Sequence, residues 1–227
     1  MSSEMPLERT LGLADVQRLA SIGEGQSIEF KARIPDGRRL AKEIVAFANS
    51  TGGHLLVGVS DAGDLVGLRD LHEEFYSLKK ALADHCDPPV PYTVERVEVA
   101  HRREVLVIRV QESDQKPHFV IDPEDPGERK AYVRVRDMSL AASREARRLM
   151  RTGTDSNTRF EFGEKELLLM RYLDEYQRIT VGQFAQLASI NGKRASQTLV
   201  LLTRAELLRL HTAETGDYFT LARNRVA

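Results

Sequence analysis

The first two thirds of the chain mix two hydrophobic spacings, and the last third uses mainly one. Leu13, Val16, Leu19 and Ala20 share one side of a helix predicted over Leu11–Ile22. Leu40, Ile44, Val45, Phe47 and Ala48 recur at three and four residues over Asp36–Ser50. Thr51-Gly52-Gly53 ends that second helix, because glycine accepts the left-handed conformation of a helix terminus. Strands are expected at Ser27–Arg33 and His54–Val59, with a short return strand Leu65-Val66-Gly67 after the turn Asp61–Asp64. Leu71–Cys86 reads as a helix stopped by Pro88 and Pro89. Tyr92–Val99 and Glu104–Val110 alternate with period two, and Arg102-Arg103 forms the tip between them. Pro117–Ile121 and Lys130–Arg136 read as two more strands around a turn-rich loop, Asp122–Gly127, and Ser143–Met150 as a helix.

From Thr152 to Arg159 the chain is polar and without period. Beyond it come helices at Glu164–Tyr176, Val181–Ser189 (capped by Thr180) and Lys193–Thr203, then a hairpin of Leu207–Thr212 and Tyr218–Leu221 around Gly216. Three short helices followed by a hairpin is the element order of a winged helix. The expected class is therefore α+β: a mostly antiparallel α/β domain over residues 1–151, a linker over 152–160 and a winged helix-turn-helix domain over 161–227.

Composition narrows the partners. The formal net charge is −1, so a nucleic-acid surface, where there is one, must be local. The densest basic run holds Arg144, Arg147, Arg148 and Arg151, with Arg134 and Arg136 upstream; on charge alone it also reads as a solvated helix face. In the third helix of the C-terminal domain, Ala195, Thr198, Leu199 and Leu202 fall on one face, while Lys193, Arg194, Ser196, Gln197 and Arg204 fall elsewhere. A recognition helix has that division, and so does a protein-interaction helix; residues 155–227 carry ten Lys and Arg against nine Asp and Glu, which does not choose between them. One cysteine, Cys86, leaves no internal disulfide and no multi-cysteine zinc site, and it reads as a core residue. No apolar run approaches a bilayer span, and the first ten residues lack a secretory pattern, so the expected location is the cytoplasm.

Glu29 and Lys31 point to one face of a strand, where a carboxylate beside an ammonium could hold a metal and orient a water as catalytic groups, and Asp61 follows the end of another strand. With Glu24, across a glycine-containing turn, three carboxylates could gather Mg²⁺ or Mn²⁺ and activate water. On the residues alone, Glu29–Lys31 reads as a surface ion pair and Asp61 as a turn former.

The run GEGQSIEFKA (residues 23–32) followed by EIVAFANSTGGHLLVGVSDAGDLVG (residues 43–67) resembles the Schlafen Alba-like domain. The resemblance continues through Ser113-Asp114, Lys116-Pro117-His118 and Tyr132-Val133-Arg134-Val135, covering roughly residues 10–150. It implies a partner that is DNA or structured RNA. Many bacterial relatives carry a C-terminal helix-turn-helix and act as regulators. Eukaryotic relatives include metal-dependent endoribonucleases that cut tRNA and rRNA with two glutamates and an aspartate, which fall here on Glu24, Glu29 and Asp61. The sequence departs from the pattern at Ser60, where the family often has a second acidic residue, and it has no counterpart to the cysteine–histidine zinc site. Those relatives hold two lobes in one chain and this chain supplies one, which implies a homodimer. A non-catalytic assembly module is a third reading. No G-x-x-x-x-G-K-[ST] loop is present, so ATP is not expected as a ligand.

Overall fold

The computed structural model describes residues 11–125, 127–151 and 163–222. The chain divides into two compact units, 1–141 and 142–227.

In the first unit, α1 (Leu13–Ile22) precedes β1 (Ile28–Lys31), α2 (Gly37–Asn49) and β2 (Gly53–Val57). Then follow α3 (Leu71–His85), β3 (Cys86–Asp87), β4 (Tyr92–Ala100) and β5 (Arg103–Val110). The unit ends with β6 (Phe119–Ile121), β7 (Arg129–Lys130), β8 (Tyr132–Val135) and β9 (Met138–Ala141). The main sheet runs β1-β2-β5-β4, with β1 parallel to β2 and every other pairing antiparallel. Strand alternation splits its apolar residues between two cores. Leu55, Val57, Leu106 and Ile108 pack on α2 and α3, while Leu56, Val105 and Val107 join Ile28, Phe30 and Val16 of α1. Asp36 caps α2 by accepting from Arg39 N, and Asp70 caps α3 by accepting from Glu73 N.

Two strand expectations differ from the structure. Leu65-Val66-Gly67 forms no strand and contributes one bridge, Val59 to Leu65, because the chain turns away: Gly67 N donates to Gly58 O and Leu68 pairs with Glu104. The expected Lys130–Arg136 strand breaks at Ala131 into β7, which pairs with β6, and β8, which pairs with β9.

In the second unit, α4 (Arg144–Arg151) precedes α5 (Glu164–Tyr176), α6 (Val181–Leu187), α7 (Gly192–Arg204) and the hairpin β10 (Leu208–His211) with β11 (Tyr218–Leu221). Leu169, Leu173, Phe184, Leu199, Leu202 and Phe219 form its core. Ile179 exchanges backbone hydrogen bonds with Phe219, fastening the α5–α6 turn to the hairpin. Thr180 and Gln183 form a capping box on α6, and Asn191 caps α7. The expected boundary fell after residue 151. The compact units divide before α4 instead, because Glu145 and Arg148 of α4 bond to Ser196 of α7. The expected linker 152–160 lies outside the described residues. Among the described residues, no helix is long and apolar enough to cross a membrane.

Candidate functional site

Strand β1 places Ile28 and Phe30 in the α1 core, which sends Glu29 and Lys31 to the opposite face. Glu29 is 7% exposed there. Its Oε1 accepts from Lys31 Nζ, and its Oε2 lies 2.5 Å from Arg134 Nη2. Lys31 also donates to Phe30 O at 2.8 Å. Glu24 folds back along the chain, so that its Oε1 accepts from Phe30 N at 2.9 Å. Asp61 is exposed in the Ser60–Asp64 turn, which is closed by Ser60 N donating to Asp64 O and Asp64 N donating to Ser60 Oγ.

The expected convergence of Glu24, Glu29 and Asp61 does not occur. Among the described residues, no three His, Cys, Asp or Glu side chains are placed to hold a metal ion. The cause is local. Two cations draw Glu29 inward, a backbone N–H holds Glu24, and the turn carries Asp61 outward. Glu29 and Lys31 form an ion pair, as their residue types alone suggest, but a largely buried one.

Arg134 corrects a second expectation. It was a candidate for nucleic-acid contact, yet its side chain is 0% exposed. Its Nε and Nη2 donate to Gly25 O, Nη2 also to Ile28 O and Glu29 Oε2, and Nη1 to Glu43 Oε2 and Ser139 Oγ. The guanidinium carbon stands 5.0 Å from the centroid of the Phe47 ring. Every donor of the planar fork is used, which is what allows a permanent cation inside a protein. Arg134 thus clamps β8 to β1 and α2. Arg136 remains exposed, with its backbone N–H donating to Gln26 Oε1.

The other residues of the motif run close a second buried network. The Asn49 side chain donates to His118 O and Tyr132 O and accepts from His118 N. The His118 ring bonds to Pro88 O and to Ser113 Oγ. Asn49 and His118 are 4% and 0% exposed. The motif residues from Phe47 to Arg134 are therefore largely a latch that fastens the end of α2 to the loops around β6 and β8. Glu43, which opens the second motif run, and Ser139, which lies outside it, complete the arginine clamp. Burial holds Cys86 as a core residue and pushes its thiol up to about 12, so it offers no thiolate nucleophile near neutral pH.

In the second unit, Ala195, Leu199 and Leu202 of α7 are each 0% exposed, while Lys193, Arg194 and Gln197 are exposed. Ser196 and Arg204 do not join the outer face. Ser196 is 4% exposed, donates to Glu145 and accepts from Arg148 Nη1, and Arg204 Nη2 donates to Arg148 O. Arg148, also expected to meet nucleic acid, is thereby engaged in fastening α4 to α7. Arg147 donates from Nε to Ser143 O, and Arg144 is exposed.

The profile of the family described as Schlafen, AlbA_2 matches residues 24–143. Among solved structures, the chain is similar to the N-terminal domain of a Nitrosomonas europaea protein described as related to the ATP-dependent DNA helicase RecG. The identity is 27%, over 56% of this chain and 90% of that one, with a TM-score of 0.41. The DIP2311 protein of Corynebacterium diphtheriae is also similar, at 18% identity over 87% of this chain and 34% of that one, with a TM-score of 0.43. No curated protein matches the chain.

Proposed function

The chain belongs to the Schlafen AlbA_2 family, and from that premise we propose that it is a nucleic-acid-binding protein whose C-terminal unit is a winged helix presenting α7 to DNA. The division of α7 carries this reading. Its apolar face is sealed into the core, while Lys193, Arg194 and Gln197 stand exposed on its first two turns and the helix contains no acidic residue. An amide such as Gln197 can read an adenine edge, and a guanidinium such as Arg194 a guanine edge or a phosphate. Binding is favoured over cleavage because Glu29 is held in a buried ion pair with Arg134 and Glu24 by the backbone N–H of Phe30.

Salt dependence tests the proposal. Replacing Lys193 and Arg194 together by alanine is expected to lower the log–log slope of duplex DNA binding by about 1.8, at ~0.9 per lost phosphate contact. An unchanged slope would move α7 to protein interaction. A homodimer would give two such helices for two half-sites. Light scattering should then return a mass near twice 25.6 kDa, and a monomer mass would remove that part of the reading.

A further inference from the structure

The parallel strands β1 and β2 end at the same edge of the sheet, and the chain beyond both ends lines a cleft of about 480 Å³ with the first turn of α3. Crevices outside the carboxyl ends of parallel strands are a recurrent place for ligands. Here three guanidinium groups line the cleft, from Arg33, Arg69 and Arg103. Arg33 and Arg69 are exposed, and neither is in an ion pair among the described residues.

Arg103 is positioned by a glycine. Gly67 has φ +69°, and a Cβ built there would stand 2.6 Å from the Arg103 Cβ and 3.0 Å from a Val99 methyl. Only glycine leaves room for Arg103 to cross this segment, where its Nη1 donates to Gly67 O at 3.1 Å. Gly58 fits the same crossing, since Gly67 N donates to Gly58 O and a Cβ on Gly58 would meet Gly67 Cα at 3.3 Å. The glycines of the motif therefore hold a cation at the cleft.

Three carboxylates share the lining, and they do not occupy the arginines. Asp70 Oδ1 accepts from Glu73 N as the cap of α3, and Glu74 Oε2 accepts from Ile34 N at 2.8 Å. Glu73 is the exposed carboxylate of the three that no backbone N–H engages. Fork-shaped guanidinium donors suit an oxyanion with several acceptor oxygens.

We propose that this cleft binds a phosphate group of a nucleic-acid strand through Arg33, Arg69 and Arg103. This rests on the nucleic-acid-binding reading and adds a contact in the first unit that is separate from α7. The test uses the full chain with Lys193→Ala and Arg194→Ala already in place, so that α7 no longer contributes. Binding of a short single-stranded oligonucleotide is read by fluorescence anisotropy across salt, with inorganic pyrophosphate as competitor. Residual binding is expected, and pyrophosphate should displace the strand. Adding Arg33→Ala and Arg69→Ala should lower the slope by about 1.4, at ~0.7 per single-strand phosphate contact. Arg33→Lys with Arg69→Lys should restore most of the slope, and Glu73→Gln should tighten binding. No residual binding in the α7 background would overturn the cleft while leaving α7 as the nucleic-acid contact. An unchanged slope after the arginine substitutions would overturn it equally. Pyrophosphate binding without strand binding would also refute the assignment to nucleic acid. Failure of α7 alone, with the arginine effect intact, would instead strike the winged-helix reading.

Discussion

Arg134 Nη2 stands 2.5 Å from Glu29 Oε2, with side-chain exposures of 0% and 9%, and the same guanidinium reaches Glu43 Oε2 at 2.8 Å. A carboxylate that the family resemblance assigns to catalysis is thus half of an interior ion pair in this chain. Among the described residues, removing Arg134 leaves Glu43 without a cation and Glu29 with Lys31 alone, and a buried charge left without its partner costs ~3–5 kcal/mol. Arg134→Met is therefore expected to destabilise the first unit by about that much in urea unfolding. Glu29→Gln should cost less, since Glu43 still faces the guanidinium. Equal stability of Arg134→Met and the parent chain would show that the clamp holds nothing.

The latch at Asn49 makes a parallel prediction without charge. Asn49→Ala would strip partners from His118 N, His118 O and Tyr132 O, all supplied by this one amide. Each buried polar group left unpaired costs ~1–3 kcal/mol, so a loss on the order of 3–5 kcal/mol is expected. Asn49→Asp keeps the acceptor for His118 N but loses both donors, and it should be nearly as damaging. Denaturant midpoints of the two variants measure this, and a loss below about 1 kcal/mol for Asn49→Ala would contradict it.

The same two networks show where sequence reading stops. Helix α2 was legible because its apolar residues repeat at three and four, and the β4–β5 hairpin because its strands alternate on either side of Arg102, which adopts φ 55°. In Tyr132-Val133-Arg134-Val135-Arg136 the same alternation suggests outward arginines and inward valines. The structure turns Arg134 inward because Gly25 O, Ile28 O, Glu29, Glu43 and Ser139, scattered over more than a hundred residues, all point at one position. No local period encodes that convergence. The placement of the three carboxylates was not legible for a related reason. Spacing put Glu24, Glu29 and Asp61 within reach of one another but did not reveal which of them other groups already held. In α7 the apolar back and the outward Lys193, Arg194 and Gln197 were legible, but the inward role of Ser196 depended on α4.

Ser196 separates docking from recognition on one helix. Its hydroxyl donates to Glu145 and accepts from Arg148, while Gln197 beside it is exposed. Ser196→Ala should destabilise the second unit by ~1–2 kcal/mol through the two lost hydrogen bonds. It should leave the salt slope of DNA binding where it is, because no phosphate contact is removed. Thermal unfolding and a salt titration on the same variant make the comparison. A fall in slope to match Lys193→Ala/Arg194→Ala would mean that α4 belongs to the binding surface.

Asp217 supplies the pH dependence. Its Oδ2 is buried without a hydrogen-bond partner. Burial, the largest influence, lifts the carboxyl above its ordinary 3.8; the nearby charge of Glu145 adds to the rise, while hydrogen bonds from Ser143 and Thr212 oppose it. The unfolded chain then releases this proton at a lower pH than the folded one. As pH rises from about 3.8 through the folded value, the unfolded state binds fewer protons, so stability falls, and above that window the whole penalty is in place. Asp217→Asn cannot ionise and keeps a comparable shape. It is expected to be more stable than the parent chain at neutral pH, with the advantage shrinking as pH falls through the window and vanishing once the parent aspartate is protonated in both states. Following the resonances of α7 through urea unfolding at several pH values isolates the second unit. A variant less stable than the parent at neutral pH, or one whose advantage does not change with pH, would show that the charge of Asp217 is compensated in the folded chain.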